Sequence, residues 1–158
     1  MRVLGEFQRH GDVIERRFTK SERRMIANLA VTTASALEDV GGTGALQDPV
    51  VARLLPAAYA DDPVAAEEFA DATRERLAEG KVEGLRRLPA DLEAAPGGVL
   101  RLGPDDAVVW LKALGDLRLA LAERVGIDEV QRGVHTPQGM LYAWLTWLQG
   151  SLIDAVDA

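Results

Sequence analysis

Trp110–Ile127, WLKALGDLRLALAERVGI, is the stretch whose reading decides the fold. At about 100° per residue, Trp110, Leu114, Leu117, Leu121 and Val125 fall on one helical face. Lys112, Asp116 and Glu123 fall on the opposite face, which is expected to meet solvent. Arg118 belongs to neither set. It lies about 60° from the centre of the apolar stripe, beside Leu111 and Ala122. Its guanidinium is therefore expected to be mostly buried, bonded to a carboxylate or to helix-terminal carbonyls at the edge of a core. This is the pattern of a packing helix, not a catalytic one.

The neighbouring segments supply the other layers. Val3–Arg9 alternates loosely, His10-Gly11-Asp12 turns, and Val13–Phe18 is extended again, so residues 1–18 are expected to form a β-hairpin. Thr19-Lys20-Ser21-Glu22 has the form of a capping box and opens a helix over 19–40. Met25, Ile26, Leu29 and Ala30 mark its core side, and Gly41-Gly42-Thr43-Gly44 ends it. Asp48-Pro49 and Asp62-Pro63 each combine a cap with a proline, predicting helices over 48–55 and 62–88. In the second, Phe69, Thr73, Leu77 and Leu85 share a face, while Gly80 and Gly84 each cost about 1 kcal/mol relative to alanine. A break or kink near Gly80 follows, and Pro89 permits a new helical turn through Ala95. After the turn at Pro96-Gly97-Gly98, Val99–Leu102 is expected to pair with the hairpin as a third strand. Gly103-Pro104-Asp105-Asp106 starts the central helix, 104–125, and Gly126 ends it. Thr136-Pro137 starts a last helix, 137–157, with a stripe of Leu141, Leu145, Leu148, Leu152 and Val156. The expected fold is one α+β domain over 1–158, mainly helical, with a small antiparallel sheet.

Composition narrows the function classes. A chain of 158 residues buries roughly 70% of its unfolded surface and sustains one core without a staple. Cysteine is absent, which removes disulfides, thiolate metal sites and thiol nucleophiles. The opening Met1–Glu6 shows no basic segment followed by an apolar run, and no stretch approaches the ~18 apolar residues of a membrane span. A cytoplasmic protein without membrane association is expected. The net charge of −7 opposes nonspecific attraction to polyphosphate.

No residue pattern assembles a reaction. Glu67, Asp71, Glu75 and Glu79 recur at four-residue spacing, but a di-metal carboxylate bundle also needs Glu-x-x-His pairs, and neither His10 nor His135 completes one. With Arg74, Arg76 and Lys81 nearby, the series reads as a solvated face. Gly41–Gly44 follows a helix, the wrong side for a phosphate loop, and no Gly-x-Ser-x-Gly elbow occurs. The expectation is a protein that is not an enzyme and holds no cofactor or metal.

Two features suggest contacts instead. Arg16, Arg17, Lys20, Arg23 and Arg24 concentrate at a strand end and a helix start, a basic edge suited first to solvent, then to an acidic protein partner, then to nucleic acid. Any DNA binding by this edge is expected to be weak and nonspecific. In the last helix, Trp147 sits about 130° from the core stripe, on the side of Ala143, Gly150 and Asp154. It is expected either to be covered by another element or to anchor a homodimer or partner contact.

The order and spacing of Arg53-Leu54-Leu55-Pro56-Ala57-Ala58-Tyr59, Asp61-Asp62, Glu68-Phe69, Trp110-Leu111, Leu114-Gly115-Asp116-Leu117-Arg118-Leu119 and Tyr142-x-Trp144-Leu145 resemble the actinobacterial oxidative-stress transcriptional regulator family AosR, otherwise catalogued as a domain of unknown function. The resemblance implies a cytoplasmic regulator contacting a stress sigma factor or the transcription machinery, in a genomic setting near a Clp protease adaptor and sulfur-metabolism genes. It implies no catalytic residues. Arg53, Tyr59, Asp116 and Arg118 are the family-pattern positions. Gly115 stands where the family pattern suggests asparagine, and without cysteine this chain has no thiol of its own for redox sensing. The expected function is a noncatalytic stress regulator acting through protein contacts, with direct DNA binding as the alternative and a Clp-associated adaptor or an enzyme of distant residues below it.

Overall fold

The computed structural model describes residues 5–38, 48–55, 63–126 and 136–158, the backbone alone over 63–71. The sheet forms first along the chain. β1 (Gln8–His10) and β2 (Val13–Arg17) are joined at Gly11-Asp12, where Gly11 adopts a φ of +64° that a side chain disfavours. β3 (Val99–Leu102) adds antiparallel to β2, giving the order β1-β2-β3 with Ile14 opposite Leu102 and Arg16 opposite Leu100. Those four residues form the inner face. On the outer face Glu15 lies opposite Arg101 and receives its Nε at 3.2 Å. The expected sheet is present, although β1 begins at Gln8 rather than at Val3 and Met1–Leu4 lie outside the described residues.

The helices follow their local signals. α1 (Lys20–Glu38) opens on the reciprocal bonds of the capping box, the Glu22 amide donating to Thr19 Oγ1 at 3.1 Å and the Thr19 amide to Glu22 Oε1 at 2.9 Å. α2 (Pro49–Leu54) is capped by Asp48, whose carboxylate accepts from the Val50 amide at 2.8 Å. α4 (Pro104–Val125) ends at Gly126 with a φ of +95°. α5 (Pro137–Asp157) starts under Thr136, which accepts from the Gly139 amide at 3.0 Å. At its far end, Arg9 Nη1 donates to the carbonyls of Val156 and Ala158 at 3.0 and 2.7 Å.

α3 has no break near Gly80, one of the two outcomes expected there. It runs uninterrupted from Pro63 to Ala94, through Gly80, Gly84 and Pro89. The proline costs about 3 kcal/mol and each glycine about 1 kcal/mol inside a helix. Leu85, Leu88 and Leu92 are buried along this helix, and each contributes about 1.5–3 kcal/mol, enough to offset those local penalties. Leu77, expected on the core face, is instead 44% exposed.

α4 is the hub. It packs against α5, α2 and α3 and touches α1 and the sheet, while α1 lies along α3. Trp110, Leu114, Leu117 and Leu121 are buried as expected, and Leu145, Leu148 and Leu152 meet them from α5. Phe18 joins sheet to helices, its ring 6.0 Å from Phe7 and 5.9 Å from Trp110. None of the described helices is long and apolar enough to cross a membrane.

Candidate interaction site

The basic edge expected at residues 16–24 is only partly in solvent. Arg16 sits on the inner face of β2 and is only 6% exposed. Its Nη1 and Nη2 donate to Glu22 Oε1 and Oε2 at 3.2 and 3.1 Å, and Nε donates to the Gly5 carbonyl. The guanidinium lies 4.4 Å from the Phe18 ring centroid, with Trp144 and Trp147 at 5.8 and 5.9 Å. A planar cation with donors in its plane and π faces above it is matched at once by a carboxylate and by aromatic rings. Burial pushes the Glu22 carboxyl up, but the hydrogen bonds from Arg16 and from the Thr19 amide outweigh it and hold the group below its ordinary value. Arg16 is therefore a structural clamp, which corrects its assignment as a contact residue. Period-two alternation puts Arg16 on the inner face, but composition reads it as basic edge. Arg23 is half-buried, reaching the Phe18 carbonyl at 3.4 Å, and Arg17, Lys20 and Arg24 remain exposed.

Trp147 belongs partly to the same cluster. It is 38% exposed, with its ring beside Gly5 and Arg16, so the N-terminal segment covers one side of it. One side of the ring is therefore covered, as one expectation had it, and the other side is exposed.

The family-pattern positions separate. Arg53 is exposed and stands 3.9 Å from Glu123, linking α2 to α4, while Tyr59 lies outside the described residues. Arg118 is half-buried between α4 and α5. It donates to Gln149 Oε1 at 2.5 Å and approaches Tyr142 Oη at 3.5 Å, with that ring 5.4 Å below the guanidinium. Gln149 in turn donates to the Leu111 carbonyl at 3.0 Å. The partners are an amide and a phenol, not the carboxylate or helix-end carbonyls expected, because α5 presents Tyr142 and Gln149 opposite that face. Arg118 Nε is buried without an acceptor.

Asp116 overturns its solvent-facing assignment. It is 7% exposed and accepts from Lys81 Nζ at 2.8 Å across the α3–α4 contact. Helical phase identified the side of α4 away from the leucine stripe, but α3 covers that side. Further along the same contact, Arg87 donates to Asp106 at 2.8 Å and to Asp91 at 3.3 Å, and Trp110 Nε1 donates to Asp91 at 2.9 Å. Asp106 and then Asp91 hold the Arg87 proton more firmly than in a free side chain.

Between these two helices runs an open groove of about 690 Å³. Gly80, Gly84, Leu77, Val109 and Ala113 supply its apolar surface, with Arg76, Lys112 and the Lys81–Asp116 pair along it. A Cβ placed on Gly80 would meet nothing within 4 Å. Sequence reasoning missed this groove, treating its one usable signal, glycines at i and i+4 inside a strong helical pattern, as a helix break or kink. Among the described residues, no group of acidic and histidine side chains is placed to hold a metal ion. Glu75 and Glu79 are exposed, and the side chains of Glu67 and Asp71 and the whole of His135 lie outside the described residues.

A family model described as a domain of unknown function, DUF2017, matches residues 4–156. The chain belongs to the DUF2017 family. Proteins named oxidative stress regulator AosR, from Mycobacterium tuberculosis (strain ATCC 25618 / H37Rv) and Mycobacterium bovis (strain ATCC BAA-935 / AF2122/97), are 35% identical to this DUF2017 chain over 142 residues. The match covers 74% of the chain and 64% of each relative, so the chain spans less than two thirds of the length of these curated relatives. No solved structure matches it. The Arg16 clamp, the Arg118 bridge and the α3–α4 groove all lie within the DUF2017 match.

Proposed function

We propose that this chain is a noncatalytic regulator of a stress response, working in the cytoplasm through protein contacts. The observation that carries the reading is the α3–α4 groove, whose glycine and aliphatic surface between charged margins suits a docked side-chain surface. The name of its relatives, oxidative stress regulator, supports the biological setting. A stress sigma factor is the partner class placed first, with transcription as the output. Because the chain has no cysteine, the oxidative signal enters through the partner and not through a thiol of this chain.

Direct DNA binding ranks second, supported by the exposed cations Arg17, Lys20 and Arg24. Deleting the gene in its host and following transcripts after a peroxide pulse tests the reading. Sedimentation of the purified protein with the host's stress sigma factors, with and without promoter DNA, tests the contact. Loss of the peroxide response and a protein–protein complex in the absence of DNA are expected. An unchanged response, or sequence-specific binding to DNA alone, would overturn the proposal.

A further inference from the structure

The α3–α4 groove has a shape, a charge and an unexplained composition. Its α3 wall runs from Arg76 to Arg87, about 16 Å or three helical turns. Leu77, Gly80, Gly84, Val109 and Ala113 make it shallow and apolar. Lys81 is taken by Asp116 and Arg87 by Asp106 and Asp91, whereas Arg76 and Lys112 make no ion pair among the described residues. This cationic margin stands out in a chain of net charge −7. Glycine in a helix interior is unfavourable by about 1 kcal/mol, and among the described residues none comes close enough to Gly80 to require it. At Gly84 a Cβ would only reach ordinary contact with Val109, at 4.0 Å. Both glycines leave the groove open.

We infer that the α3–α4 groove is the docking site for an acidic amphipathic helix of a partner protein. The occupant lays apolar side chains at i, i+4 and i+7 over Gly80, Gly84 and Ala113, and sets carboxylates against Arg76 and Lys112. Bare glycine backbone permits close helix approach, the apolar strip supplies burial, and the cations Arg76 and Lys112 select an acidic over a basic helix. Glu83 on the α3 wall disfavours a carboxylate opposite itself. This inference rests on the reading that the chain works through protein contacts, and it names where and with what chemistry.

The test uses a fluorescein-labelled helical peptide of about 14 residues, four turns, carrying leucine at i, i+4 and i+7 and glutamate on the flanks. Controls are its lysine-flanked counterpart and a scrambled sequence. Fluorescence anisotropy with the full chain is expected to favour the acidic peptide by about tenfold or more over both controls. Gly80→Leu fills the groove and Lys112→Glu reverses the margin, and each is expected to weaken the acidic peptide by about tenfold or more. Neither removes a core contact, so neither variant should melt appreciably below the wild-type temperature, and Gly80→Leu should melt at or above it. Equal binding of acidic and basic peptides, no saturable binding, or acidic-peptide binding unchanged by Gly80→Leu would overturn the inference. So would a DNA duplex that competes with the peptide and still binds after Gly80→Leu. The peptide decides the groove independently of the deletion phenotype, which decides the functional reading.

Discussion

Arg16 and Glu22 form a bidentate ion pair at 3.1–3.2 Å that joins β2 to the first turn of α1, with the arginine side chain 4% exposed and the glutamate 19%. The same Glu22 oxygen that receives Arg16 Nη1 also accepts the Thr19 amide. One carboxylate therefore starts the helix and fixes its angle to the sheet, while Arg16 carries the connection on to Gly5, Phe18 and α5.

Replacing Arg16 by alanine leaves Glu22 without its partner and the aromatic rings around a void, and is expected to cost about 3–5 kcal/mol. The neighbouring exposed Arg17→Ala should stay within about 0.5 kcal/mol. Urea titrations of the two variants check this. Equal small losses would show that the clamp contributes nothing.

The same pair makes stability depend on pH. Glu22 has a folded pKa below its ordinary value of 4.5, so its contribution is fully present above that value and is lost as pH falls through the folded pKa. Wild-type protein should lose stability on acidification below about pH 4.5 more steeply than Glu22→Gln. Urea midpoints at several pH values give the comparison, and parallel curves would remove Glu22 as the source.

Arg118 and Gln149 act as one unit between α4 and α5. Arg118→Ala is expected to cost about 1.5–3 kcal/mol, the range for hydrogen bonds to a charged group, and not more, because its partners are neutral and it is only half-buried. A double-mutant cycle with Gln149→Ala should show a coupling of about 1 kcal/mol or more. Strict additivity would mean that the contact carries no energy.

Two glycine substitutions should act in opposite directions. Gly80→Ala has free space and is expected to raise stability by about 0.5–1 kcal/mol. Gly98 sits at a φ of +79°, and its Cβ would come within 2.8 Å of the Phe18 carbonyl oxygen, which itself accepts from Arg23. Gly98→Ala is therefore expected to destabilise by about 2 kcal/mol or more. Thermal melts that move both variants the same way would contradict this account.

Read as a string, the sequence determined the features closed by short-range chemistry. The Thr19–Glu22 box, the Asp48 and Thr136 caps, the Gly126 stop and the buried stripes of α4 and α5 depend on groups a few residues apart, so spacing and residue type suffice to locate them. Pairing of Val99–Leu102 with the hairpin was also legible, because a short apolar run needs an edge to join. Only the tertiary structure decided where Arg16 and Asp116 go and whether α3 continues past Gly80. Helical phase gives the angle at which a side chain leaves its own axis but not how many neighbours surround that axis. α4 is covered on several sides, so its polar side carries a buried Asp116 paired to Lys81. In the same way, the glycines of α3 read locally as a stop. In the folded chain, burial of Leu85, Leu88 and Leu92 accompanies a helix that continues through Gly80 and Gly84, which line a groove.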